Sequence, residues 1–323
     1  MDEALAERIK AAAAVLADAK SVAVTCHVNP DGDALGSALG FALAAAEAGK
    51  EVVVSFGEPF VLADSFSFLP VEALVSPDQF PTAPEVMITF DAADRERLGE
   101  LSGPAGAAGT LIVVDHHITN EGFGHINIID PGSAATAVLA FDLIKELGWE
   151  IDADIASCLH VGLVTDTGRF QYSTTTAEVF RMAADLVESG ADPYLIGRMV
   201  FENAPFVYLA VAAAVQRRAK LEAEVSLVWS VLLDDDLAEA GLAPEEVEGL
   251  IDYIRIAREA DVAVLLKQTP EGTKASLRSR AVVDVGSLAL AFGGGGHARA
   301  AGFTSNGDPK ETIEQIRGYL REH

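Results

Sequence analysis

The chain has 323 residues, 49 acidic against 23 basic, a formal net charge of −26 and half of its residues apolar. That length accommodates two domains with real cores, and that composition excludes a disordered or collagen-like chain. The charge excludes a coat on long nucleic acid, which needs a broad basic surface, but a short anionic substrate stays compatible if cations or a local basic pocket offset the repulsion.

Asp2, Glu3 and Glu7 precede an alanine stretch, the wrong charge pattern for a signal peptide. Five short β-branched runs follow, at 21–26, 51–55, 86–90, 111–114 and 126–129, with alanine-rich helical stretches at 34–48 and 134–147 among them. Continuous apolar runs of this length predict strands buried on both faces, and their alternation with helices predicts an α/β domain with a mainly parallel sheet. The longest uncharged helical run, Ala34 to Ala46, is too short and too rich in small residues to span a bilayer, so no membrane partner is expected. Helical patterns dominate from 152 to 218, with Asp192-Pro193 and Ala204-Pro205 marking two helix starts. Strand patterns at 225–232, 262–267 and 274–280, with helices at 245–257, 284–292 and 309–321, predict a smaller α+β domain. The expected division is 1–190, a helical linker over 191–218, and 219–323. Cys26 and Cys158 stand far apart without Cys-x-x-Cys spacing, which argues against a disulfide framework and thiolate zinc and fits a reducing cytoplasm.

Charged residues recur where the predicted parallel strands end. His27 follows the first run, Asp91 the third, and Asp115-His116-His117 the fourth. Ligands of open α/β sheets bind outside the carboxyl ends of the strands. Asp31 and Asp33, two apart in a glycine-containing turn, can face the same point, and Asp166 ends another apolar run. Carboxylates gathered there would take up protons or bind metal. Four carboxylates with two histidines suffice for two divalent ions, and the mixed oxygen and nitrogen set suits Mn²⁺ or a related first-row metal.

Taken in order, His27-x-x-x-Asp31-x-Asp33, Asp91, Asp115-His116-His117 and Asp166 resemble the four motifs of the DHH phosphoesterases. Gly293-Gly294-Gly295-Gly296-His297, followed by Ala300-Ala301-Gly302, resembles the DHH-associated substrate domain, so the likeness covers nearly the whole chain. Within the family the pattern is most similar to bacterial nanoRNases and phosphoadenosine-phosphate phosphatases, whose actinobacterial members also act on cyclic dinucleotides or their linear products. The resemblance implies one metal held by His27, Asp31 and Asp91, and a second held by Asp33, Asp91, His116 and Asp166, with Asp91 bridging. It implies Mn²⁺, with Mg²⁺ or Co²⁺ as alternatives, and a hydroxide between the metals attacking phosphorus. His117 is then a phosphate contact or proton donor to the leaving oxygen, with Asp115 orienting a neighbouring histidine. Short oligoribonucleotides, linear dinucleotides and 3′-phosphoadenosine 5′-phosphate are the implied substrates, and a homodimer the implied assembly.

Substrate contacts are expected from Gly294, Gly295, Gly296 and His297 and from the strand carrying Arg278, Ser279 and Arg280. Strand alternation puts Arg278 and Arg280 on one face, suited to bidentate phosphate recognition. From Lys267 to Phe303 five bases stand against two acids, whereas residues 1–190 hold 29 acids and nine bases. An inorganic pyrophosphatase shares the metal motifs but lacks the Gly-rich, His-containing signature. A nucleotide sensor without catalysis is a second alternative, against which the full ligand set argues.

Overall fold

The computed structural model describes residues 2–269 and 272–323, and the chain divides into two units, the first ending at Asn203 and the second beginning at Ala204. The division falls inside the stretch 191–218 that the sequence marks as a helical connection. No helix among the described residues is long and apolar enough to cross a membrane.

In the first unit, α1 (Glu3–Asp18) opens on Asp2, whose carboxylate accepts from Leu5 N–H, and it buries Leu5, Ile9, Ala12, Ala13 and Leu16 at helical spacing. It is followed by β1 (Ser21–Cys26), α2 (Gly32–Glu47), β2 (Glu51–Ser55), β3 (Val86–Phe90), α3 (Ser102–Ala107), β4 (Thr110–Asp115) and β5 (Ile126–Ile129). Four helices complete the unit: α4 (Thr136–Glu146), α5 (Ala153–Asp166), α6 (Ala177–Glu188) and α7 (Pro193–Phe201). The five strands form one parallel sheet in the order β2-β1-β3-β4-β5. Every residue of β3 is buried, as a central strand covered on both faces requires. Val24, Ile88 and Val114 point into the core shared with α2, α4 and α5, while Ala23, Met87 and Val113 face a second cluster with Leu98 and Leu101.

Helix α2 is buried along nearly its whole length, because α5 packs on it closely. Gly36 permits that approach: a β-carbon there would stand 2.3 Å from the Cys158 carbonyl oxygen. The small residues that make the Ala34–Ala46 run a poor membrane span are what let these two helices meet.

The second unit comprises α8 (Tyr208–Arg218), β6 (Lys220–Glu222), β7 (Leu227–Leu232), α9 (Asp234–Ala240), β8 (Val262–Thr269), β9 (Gly272–Ser279), α10 (Val285–Ala291), β10 (Gly295–His297), β11 (Ala300–Ser305) and α11 (Pro309–Glu322). Its sheet runs β10-β11-β9-β8-β7-β6 and is mixed, with β7 and β8 parallel and the other pairs antiparallel. Val262, Val264 and Leu266 face one apolar cluster with Ile313 and Ile316, while Ala263 and Leu265 face another with Val211 and Val215. Both faces of β8 are therefore covered there, which explains the unbroken apolar run over Val262–Leu266.

Four expectations shift. The stretch 245–257 forms a 3₁₀ helix over Pro244–Tyr253, kinked at Val247, in place of an α-helix. The strand at 225–232 starts at Leu227, after a turn that puts Ser226 in the left-handed region. The helix signalled by Ala204-Pro205 starts at Tyr208. The glycine run is part strand: Gly295–His297 pair with Ala300–Gly302, and β-carbons at Gly294 and Gly296 would lie 2.2 and 2.6 Å from the Gly302 and Ala300 carbonyl oxygens. Glycine lets these two backbones come together.

Candidate metal centre

The strand order reverses between β1 and β3, which both lie next to each other and lead to opposite sides of the sheet, and such a switch point is where an open α/β sheet leaves a crevice. His27 follows β1 and Asp91 follows β3, so both stand at this crevice. Asp91 holds φ at +58°, in the left-handed region that non-glycine residues seldom occupy. Asp31 caps α2, its Oδ1 accepting from Asp33 and Ala34 N–H, and Asp33 lies in the first turn. Asp115 ends β4, His116 and His117 follow it, and Asp166 is the last residue of α5.

These side chains converge. His27 Nε2 lies 3.9 Å from Asp31 Oδ2 and 3.6 Å from Asp91 Oδ2. His116 Nε2 lies 3.5 Å from Asp91 Oδ1, 3.7 Å from Asp33 Oδ2 and 3.1 Å from Asp166 Oδ2. Asp91 thus turns one oxygen toward each of two histidines. Ligand atoms of His27, Asp31 and Asp91 all lie within 4.8 Å of one another, as do those of Asp33, Asp91 and His116. Carbonyl oxygens only accept, so the contacts of His27 Nδ1 with Val28 O at 2.8 Å and of His116 Nδ1 with Ser133 O at 3.2 Å put the protons on Nδ1. Each Nε2 lone pair is then directed at the carboxylates, the arrangement found in metal-binding histidines.

A model of the DHH family, N-terminal domain, matches residues 21–163, and one of the DHHA1 domain matches 224–322. Over 302 residues the chain is 36% identical to the bifunctional oligoribonuclease and PAP phosphatase NrnA of Thermus thermophilus, covering 93% of this chain and 89% of that protein. The chain belongs to the DHH family. It is a DHH phosphoesterase with a DHHA1 unit. A solved exopolyphosphatase-related protein from Bacteroides fragilis is 26% identical and superposes with a TM-score of 0.89 over 98% of this chain and 96% of that one. RecJ of Thermus thermophilus, solved in complex with Mn²⁺, shares the fold at 16% identity, with a TM-score of 0.60 over 98% of this chain and 55% of that one.

The electrostatics of this DHH centre fit a divalent cation. Burial pushes the Asp33 carboxyl well above its ordinary range, and the charges of Asp91 and Asp166 push it further. Asp166 is raised by burial, then by Asp31 and Asp91, with His116 opposing. Burial also works against charge on Asp91, yet His27, His117 and His116 outweigh it and hold that carboxyl below the usual range. The three histidines are raised in turn: burial disfavours their cations, but Asp91 and Asp31 for His27, Asp166, Asp91 and Asp33 for His116, and Asp115 and Asp91 for His117 prevail. Buried carboxylates here compete for the protons of three imidazoles, a competition that metal ions with four carboxylates around them would end.

His117 adjoins both groups through Asp91, its Nδ1 lying 3.6 Å from Asp91 Oδ1. Its Nδ1 donates to Asp115 Oδ1 at 2.7 Å, and Asp115 is fully buried. Asn120 Nδ2 donates to Asp115 Oδ2 at 2.7 Å and to Ala92 O at 3.0 Å, tying the ends of β3 and β4 together. Spacing does not single out Asn120, Ser133 or Thr136, although the last donates its hydroxyl to Asp91 Oδ1 at 2.8 Å. A mostly apolar cavity of about 510 Å³ between α5, α6 and α7 is lined by His160, Phe170 and Phe180 and holds none of the four carboxylates.

In the DHHA1 unit, Arg278 lies on the half-exposed face of β9, between the buried Leu277 and Ser279. Its guanidinium donates to Leu277 O, while its buried Nε has no hydrogen-bond partner. Ser279 Oγ accepts from Arg299 at 3.0 Å. Arg280 lies one residue beyond the end of β9. β9 ends at Ser279, Asp261 gathers the N–H groups of Ala281, Val282 and Val283 into a turn, and Arg280 donates to Ala257 O at 2.9 Å. His297 ends β10 and is half-buried. The Asp234-Asp235-Asp236 run opens α9, with Asp236 paired to Arg218 at 2.8 Å.

Proposed function

We propose that this DHH phosphoesterase uses two Mn²⁺ ions to hydrolyse short oligoribonucleotides, linear dinucleotides and 3′-phosphoadenosine 5′-phosphate, with cyclic dinucleotides as a further substrate class. The observation that carries the reading is Asp91, which offers separate oxygens to His27 and His116 from one buried carboxylate. His27, Asp31 and Asp91 would hold one ion; Asp33, Asp91, His116 and Asp166 would hold the other. When bound, such a pair supplies Lewis acidity that activates water and offsets the charge developing at phosphorus.

The chain's own residues do the rest. His117, its Nδ1–H held by Asp115, would donate the Nε2 proton of its cationic form to the leaving ribose oxygen. Burial disfavours that cation, but Asp115 and Asp91 outweigh it, and Asn120 holds Asp115 in place. Arg278, with Ser279 beside it, binds a substrate phosphate, while Gly294, Gly295, Gly296 and His297 supply a close-approach backbone edge for the nucleotide. Arg280, one residue past the strand end, is proposed as a second contact for that phosphate. A few bases in one unit, in a chain of −26, suit a short anion better than a long strand. The two buried free thiols agree with a reducing cytoplasm.

The test is turnover by Mn²⁺-loaded protein, with and without chelator, of a linear diadenylate, 3′-phosphoadenosine 5′-phosphate and pyrophosphate. The reading predicts Mn²⁺-dependent release of adenosine monophosphate or phosphate from the first two. Hydrolysis of pyrophosphate alone overturns it in favour of a pyrophosphatase, and tight nucleotide binding without turnover favours a sensor.

A further inference from the structure

Helix α4 begins at Thr136, and the residue before it, Ala135, has no side chain able to cap the helix. The first N–H groups of a helix still need acceptors. Here the acceptor is Asp33, brought from the start of α2. Thr136 N–H donates to Asp33 Oδ2 at 2.6 Å and Ala137 N–H to Asp33 Oδ1 at 2.9 Å. The Thr136 hydroxyl donates to Asp91 Oδ1 at 2.8 Å. Thr136 is fully buried, so no water competes for these bonds. One residue therefore touches two carboxylates of the group that contains His116, and no hydrogen bond links it to His27 or Asp31.

The hydroxyl matters because the terminal torsion of an aspartate is broad and would otherwise let the carboxylate plane turn. Asp91 must keep Oδ1 near His116 Nε2 and Oδ2 near His27 Nε2 at once. The oxygen that accepts from Thr136 is Oδ1, the one on the His116 side.

We propose that Thr136 is a positioning residue: its hydroxyl fixes the plane of Asp91 from the Oδ1 side and thereby sets chiefly the cation affinity of the Asp33–Asp91–His116 group, with a smaller effect on the His27–Asp31–Asp91 group, which shares Asp91 through Oδ2. The proposal rests on the two-cation reading above. Outer hydrogen-bond partners of metal ligands are worth about 10–100-fold in affinity, so that is the size of effect expected on one site.

The experiment is calorimetric titration of Mn²⁺ into the full chain after chelator treatment, comparing wild type, Thr136→Val, Thr136→Ser and His116→Ala. Wild type should bind two ions. Thr136→Val keeps the branched shape without the donor and should weaken one site about 10–100-fold and the other clearly less, keeping it near the affinity that survives in His116→Ala. Thr136→Ser keeps the donor and should retain both sites. Should Thr136→Val fail to fold by circular dichroism, Thr136→Ala removes the same donor and takes its place.

Unchanged binding in the variants without the hydroxyl overturns the proposal. So does equal weakening in Thr136→Ser, which points to packing, or equal weakening of both sites in Thr136→Val. Fewer than two ions on wild type overturns the two-cation reading itself, an outcome distinct from all of these.

Discussion

Gly36→Ala tests how the packing of α2 on α5 shapes the metal centre. The added β-carbon would lie 2.3 Å from Cys158 O and 3.0 Å from Gly162 N, both backbone atoms that no rotamer change can move. Ordinary van der Waals approach is about 3.5 Å, so the helices must part by about 1 Å. Overpacking of this kind costs about 1–3 kcal/mol, which for a unit of this size lowers the melting temperature by about 2–10 °C. The separation also reaches the site, because Asp33 opens α2 and Asp166 closes α5. Scanning calorimetry should therefore show a lower melting temperature, and Mn²⁺ titration should show weaker binding. Gly197→Ala on α7, where a β-carbon meets nothing within 4 Å, is the control and should be neutral or stabilising by about 0.4–1 kcal/mol. A Gly36→Ala protein with unchanged melting and unchanged Mn²⁺ affinity refutes the reasoning.

Other consequences fall in the DHHA1 unit. Burial would raise the Asp261 carboxyl, but the N–H groups of Val283, Val282 and Ala281 outweigh it and hold it below its ordinary value. A carboxyl depressed in the folded state stabilises above its unfolded pKa, and that stability is lost as pH falls through the folded value. Urea midpoints measured downward from pH 6 should then fall less steeply in Asp261→Asn than in wild type; parallel slopes count against this role. Arg317 pairs with Glu222 at 2.6 Å, and Glu222 also accepts from Trp229 Nε1 at 2.6 Å. Arg317→Ala should cost about 1–3 kcal/mol in urea denaturation, as for a half-buried acceptor that loses a charged donor, and a change below 0.5 kcal/mol, within the scatter of ordinary surface substitutions, contradicts it.

The parallel sheet was readable because burial on both faces leaves strands such as 86–90 with no polar interruption, and the turns between them carry the charged residues. The same reasoning placed His27, Asp91 and the Asp115–His117 triplet at strand ends. It could not reach Thr136 or Asn120, whose hydroxyl and amide look ordinary in sequence and matter only for the carboxylates they meet. Thr136 lies 103 residues from Asp33. The glycine run forms in part a short edge strand, a role its composition does not announce, because the missing β-carbons admit the neighbouring backbone. The strand predicted at 274–280 ends one residue early, at Ser279, where Asp261 gathers the following N–H groups into a turn. The helix expected at 245–257 tightened into 3₁₀ turns around Val247, and no propensity in that stretch signals the change.

The central claim is that one buried aspartate serves two cations. Its most direct test is an anomalous difference map from a crystal of the full chain soaked in Mn²⁺. The account predicts two peaks flanking Asp91, one beside His27 and Asp31, the other beside Asp33, His116 and Asp166. A single peak, or peaks that leave Asp91 uncoordinated, would contradict it.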